Sequence, residues 1–76
     1  MTFEICKSRD MGDRKVFIYD TIPNGSIATV AEAEYRLTWT GKVKYRLDYM
    51  SKHCKIDEVL RILDVATVAI KSVEKM

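Results

Sequence analysis

The sequence predicts one small α+β domain spanning residues 1–76: an antiparallel four-stranded meander (ββββα) with one C-terminal helix packed on one sheet face. Over residues 32–40 and again over 43–50, apolar and polar residues alternate, the period-two signature of half-buried strands. From Ile56 the apolar period lengthens to that of a helix. Turn formers, Pro23-Asn24-Gly25 and Gly41, fall between the runs.

Taken in order, residues 2–8 read as a short strand, with Phe3 and Ile5 on one face and Glu4 and Cys6 on the other. The polar stretch 9–14, containing Gly12, reads as a turn. Residues 15–22 are β-branched and aromatic on both faces, which suits a central strand. Pro23 presets φ and Gly25 accepts a positive φ, so 23–25 should close a turn. Residues 26–32 admit two readings. Ile27, Val30 and the Thr29/Glu32 spacing could open a helix with a capping box, which would make Gly41 a helix C-cap. The alternation of Ala33, Tyr35, Leu37 and Trp39 with Glu34, Arg36, Thr38 and Thr40 favours a strand.

Val43, Tyr45, Leu47 and Tyr49 are expected on one face of the next strand, and Lys44, Arg46, Asp48 and Met50 on the other. Matching the two apolar faces across a hairpin requires paired residue numbers with an even sum. A sum of 80 uses a three-residue loop, Trp39-Thr40-Gly41, and pairs Tyr35 with Tyr45, Leu37 with Val43 and Glu34 with Arg46. A sum of 82 sets Arg36 against Arg46 and Glu34 against Asp48. The first register is preferred, although it leaves Arg36 opposite Lys44 and Glu32 opposite Asp48.

In the C-terminal third, Ile56, Val59, Leu60, Leu63, Ala66, Thr67, Ile70 and Val73 form one helical stripe. Asp57 and Glu58 near the start, with Lys71 and Lys75 near the end, complement the helix dipole. Residues 65–73 are rich in β-branched types, which also suit a strand. The spacing of polar positions 57, 61, 64, 71 and 75 keeps the helix.

Composition narrows the function classes. Thirteen basic and eleven acidic residues give a net charge of +2 with no strongly biased segment, so no long-range field draws the chain to nucleic acid or membrane. The N-terminus lacks the apolar core of a secretory signal, and Arg61, Asp64 and Lys71 interrupt the longest apolar stretch. A cytoplasmic location is expected, with Cys6 and Cys54 as reduced thiols. His53 and Cys54 are adjacent, so their side chains diverge and make no nucleophile–base pair. Cys6, His53 and Cys54 lack zinc-motif spacing, and the loop around Asp10 and Asp13 lacks calcium-loop ligands. Glu32, Glu34 and Asp48 would lie on a flat wet face, unsuited to general acid–base chemistry. No catalytic, metal or cofactor site is expected.

Two surfaces are candidates for contact with a partner. Arg36, Lys42, Lys44 and Arg46 should gather on the outer side of the hairpin, with Trp39 near its tip. On the helix, Ile62, Val65, Val68 and Ala69 widen the apolar arc beyond what one sheet face needs, which marks an association surface. The leading expectation is a non-enzymatic protein-binding domain, an inhibitor or adaptor; small phage and mobile-element proteins that block host defence have this size. The alternatives are a nucleic-acid-binding module using the basic hairpin face and a small homo-oligomer, in the simplest case a homodimer.

Overall fold

A computed structural model describes residues 1–7, 13–37 and 42–74. Four strands, β1 (Thr2–Lys7), β2 (Arg14–Thr21), β3 (Ile27–Leu37) and β4 (Val43–Met50), form one antiparallel sheet in the order β1-β2-β3-β4, and helix α1 (Ile56–Glu74) follows. The meander and its C-terminal helix are those the periodicities predict. Residues 9–12 of the first expected turn, and the loop Trp39-Thr40-Gly41, lie outside the described residues.

The core joins the two central strands to the helix. Val16 and Ile18 of β2, Val30, Ala31, Ala33 and Tyr35 of β3, and Val59, Leu63, Ala66 and Ile70 of α1 are buried. Phe3 and Ile5 of β1 stand opposite Ile18 and Val16 and pack against this cluster from one side. Val43 and Leu47 of β4 close it from the other. The central strand supplies two alanines, so most of the volume comes from β2, Tyr35 and the helix. Among the described residues no buried side-chain polar atom lacks a partner.

Tyr35 bolts the sheet to the helix. It is fully buried, and its hydroxyl donates to the Leu63 carbonyl at 2.6 Å. Thr67 Oγ1 donates to the same carbonyl at 2.7 Å and lies 3.1 Å from Tyr35 Oη. That carbonyl already belongs to the helix ladder, so both hydroxyls exploit its second lone pair region rather than rescue an orphan.

Two irregularities explain where strict alternation fails. Between β2 and β3 the partners jump from Ile18↔Ala31 to Tyr19↔Thr29, leaving Val30 as an extra residue. In a regular strand neighbours point to opposite faces, yet Val30 and Ala31 are both buried, as a β-bulge allows. The bulge resolves the two readings of 26–32 in favour of strand. It also explains the ambiguity, because an inserted residue breaks the period of two and mimics a helical spacing. The Val30 carbonyl accepts the Ser51 N–H at 2.7 Å and the Cys54 thiol at 3.4 Å, so the bulge anchors the connection from β4 to α1.

The second shift lies between β3 and β4. Residues 33–37 pair with 43–47 at a sum of 80, including Tyr35↔Tyr45, Leu37↔Val43 and Glu34↔Arg46, in the preferred register. Beyond Ala33↔Leu47 the partner of Glu32 is Tyr49, and Asp48 is left without an opposite number. The anticipated Glu32–Asp48 clash is therefore absent. The same shift corrects the face assignment: Tyr49 moves to the side of Glu32, and Met50 to the side of Ala31.

Burial on β4 is also shallower than the alternation implies. Tyr45 is 40% exposed because β4 is an outer strand and the helix packs against the sheet's centre, and Tyr49 is 46% exposed because the register shift turns it to the face away from the helix. Tyr45 instead lies against Tyr35, with ring centroids 5.2 Å apart and planes at 31°. On the helix, Ile56 and Leu60, expected in the buried stripe, are partly exposed, which shifts the buried arc toward Ile62.

The turn at 22–26 has the geometry its residues dictate. Gly25 N–H donates to the Ile22 carbonyl at 2.8 Å, Ile22 N–H to the Ser26 carbonyl at 2.9 Å, and Ser26 N–H to Asn24 Oδ1 at 2.8 Å. Gly25 has φ of 89°. A β-carbon there would meet no atom within 4 Å, so a substitution is resisted by backbone strain alone. Gly25→Ala should lower stability by about 1–2 kcal/mol, measured by urea denaturation; no loss would mean that the turn relaxes freely.

Helix α1 begins with Val59 N–H bonded to the Lys55 carbonyl at 3.2 Å and carries Asp57 and Glu58 in its first turn and Lys71 in its last. Among the described residues, no helix is long and apolar enough to cross a membrane.

Candidate functional site

The outer face of the β3–β4 hairpin carries a compact network of charges. Cross-strand pairing sets Glu34 opposite Arg46 and Arg36 opposite Lys44. Glu34, half-buried, lies between two guanidinium groups, 3.7 Å from Arg36 Nε and 3.7 Å from Arg46 Nη2. Arg46 Nε also donates to Asp48 Oδ1 at 2.9 Å, so one arginine is held by a carboxylate from each strand. The bulge at Asp48 leaves that residue on the Arg46 side. On the other side of β3, Lys15 pairs with Glu34 in register and places its Nζ 5.7 Å from the Phe17 ring centroid.

Each of these ion pairs is solvent-exposed on its arginine side and contributes little to stability, typically 0–1 kcal/mol. Their effect is on presentation. Arginine side chains braced by carboxylates lose less conformational entropy when a partner binds them. The carboxylates also offset most of the positive charge that Arg36, Lys44 and Arg46 would otherwise present.

Glu34, Arg36, Lys44, Tyr45 and Arg46 line a shallow depression of about 170 Å³. That is below the ~300 Å³ at which small-molecule pockets begin, and its walls are formed by the aliphatic stems of charged side chains and the Tyr45 ring, with the charged ends at its rim. The structure thus brings Arg36, Lys44 and Arg46 together. Lys42 is exposed just before β4, and Trp39 lies outside the described residues.

The two expected helix positions nearest the core are partly covered. Ile62 packs against the buried cluster and Ala69 is half-buried, whereas Val65 and Val68 are 57% and 65% exposed.

The remaining chemistry-bearing residues are dispersed. Cys54 is a free thiol packed against the core, with its Sγ 3.3 Å from the Ser51 carbonyl; Cys6 is a free thiol on β1, and His53 is exposed. Among the described residues, no three His, Cys, Asp or Glu side chains gather closely enough to hold a metal. On the sheet face away from the helix, Tyr19 donates to Glu4 Oε2 at 3.2 Å. Partial loss of hydration and the adjacent Glu4 charge push its phenol above the usual tyrosine range.

No family model, curated protein or solved structure matches this chain.

The features that sequence reasoning missed are the exposed tyrosines, Tyr45 and Tyr49, and the bracing role of Asp48. A signal existed for Tyr45: the last strand of a meander has only one neighbour, so its side chains are only half covered. For Tyr49 and Asp48 no signal was available, because a bulge is a property of the pairing between two strands, and this one leaves no mark in the alternation along either.

Proposed function

We propose that this chain is a non-enzymatic protein-binding domain that engages a partner along β4 and the adjoining outer face of the hairpin. One observation carries the reading. β4 is an outer strand that presents two half-exposed tyrosines, Tyr45 and Tyr49, to opposite sides of the sheet, with the carboxylate-braced Arg46 between them. Tyrosine and arginine are the residues in which interface energy concentrates. Among the described residues no strand pairs with the far side of β4, so its backbone can take an added strand. A domain of this kind acts by occupying a surface on its partner, which suits an inhibitor or an adaptor. The pairing of both arginines with Glu34 and Asp48 argues for a protein over a phosphate backbone, since a bare cationic stripe is what phosphates select.

The test is affinity capture on the tagged chain, with the bound species identified and its affinity measured. A protein should be retained after nuclease treatment, with affinity changing only modestly between about 50 and 200 mM salt. Tyr49→Ala should weaken its binding at least about tenfold, with an unchanged circular dichroism spectrum. A captured nucleic acid, or a thousandfold loss over that salt range, would replace this reading with the nucleic-acid alternative.

A further inference from the structure

The geometry points to a second copy of this chain as the occupant of the outer face of α1, with the two helices antiparallel about a two-fold axis. Residues 58, 61, 65, 68 and 72 follow one another at spacings of three, four, three and four, and all five are exposed. That is the repeat by which one helix presents a continuous seam to another. The seam lies opposite the buried residues Val59, Leu63, Ala66 and Ile70, so the same helix serves the core on one side and is free on the other. At its centre stand Val65 and Val68, 57% and 65% exposed, with half-buried Ile62 and Ala69 along one border. A β-branched apolar pair at the middle of a wet helix face has neither a packing nor a propensity rationale within the monomer.

Charge selects the occupant and its direction. Asp57 and Glu58 occupy the first turn and Lys71 the last, so a parallel mate would set like charges against each other, while an antiparallel one sets acidic turn toward basic turn. With Val65 layered on the partner copy's equivalent of Val68, Asp64 and the partner's equivalent of Lys71 come within about 3 Å of each other along the axis, at 1.5 Å per residue. Two-fold symmetry creates this pair twice. Neither Asp64 nor Lys71 makes an ion pair with another described residue of its own chain, so both are available. Helix dipoles also oppose each other favourably in this arrangement. The assembly is four layers, sheet, helix, helix, sheet, and it leaves the outer sheet faces and β4 exposed. Only two valines per chain form the apolar centre, far short of the ~800 Å² per partner that stable complexes bury, so the association is weak.

Sedimentation equilibrium of the 8.8 kDa chain under reducing conditions tests this. The average mass should climb toward twice the monomer value between about 10 µM and 1 mM protein. Val68→Lys, at a solvent-facing site, should hold the mass at the monomer value with the fold intact. Asp64→Lys and Lys71→Asp should each weaken association about tenfold, since symmetry removes both pairs at once, and the double exchange should restore it. A monomer at every concentration, a dimer indifferent to Val68→Lys, or a double exchange that fails to restore association would each overturn the proposal. Capture of the partner by β4 is read separately and survives any of these results.

Discussion

Tyr35→Ala is expected to leave the domain unfolded, or close to it, at physiological temperature. A chain of 76 residues has a total stability of roughly 4–11 kcal/mol at the usual 0.05–0.15 kcal/mol per residue. Truncating a fully buried aromatic costs about 3–5 kcal/mol, and here the loss includes the stacking against Tyr45 and the bond to the Leu63 carbonyl. Tyr35→Phe separates these contributions. It keeps the ring and removes one hydroxyl, while the Leu63 carbonyl retains the helix ladder and Thr67 Oγ1. Its cost should therefore be about 1 kcal/mol. Burial pushes the Tyr35 phenol above the ordinary value near 10, with Thr67 partly opposing the shift. The folded state thus holds this proton more tightly than the unfolded chain. The associated stability is complete below about pH 10 and is lost as pH rises through the folded value. Urea titrations at neutral and alkaline pH check all three statements. A Tyr35→Ala variant within about 1 kcal/mol of the parent would remove Tyr35 as the sheet–helix bolt.

Reversing both arginines, Arg36→Glu with Arg46→Glu, should abolish partner binding, with a loss of at least about a hundredfold in affinity. Such a reversal is not silent for the fold. Glu34 would face two new carboxylates where it now touches two guanidinium groups, and Asp48 would lose its 2.9 Å partner. A stability loss of about 1–2 kcal/mol should accompany it, reduced by added salt because the site is wet. Arg46→Gln is the cleaner probe, since it removes the charge without adding repulsion and should still cost binding about tenfold or more. Binding isotherms measured beside thermal melts decide the matter. Full affinity in the double reversal, at a temperature where the variant is folded, would clear the hairpin of any role in recognition.

Local pattern was sufficient for the element types and for one register. The alternation at 33–37 and 43–47 makes a single pairing compatible with both apolar faces and with the Glu34–Arg46 charges, and that pairing is observed. The change of period at Ile56 announced the helix because a strand cannot bury every third and fourth residue on one side. Such inferences succeed where neighbours along the chain carry the whole constraint. Long-range competition governed everything else. Val30 and Asp48 stand as extra residues at the two register shifts, which belong to the pairing between segments distant in sequence and not to the alternation along one strand. Those two insertions moved Tyr49 to the other face, and the end position of β4 left Tyr45 half uncovered. The candidate contact surface therefore depends on packing across strands, while the strands themselves follow from alternation along the chain.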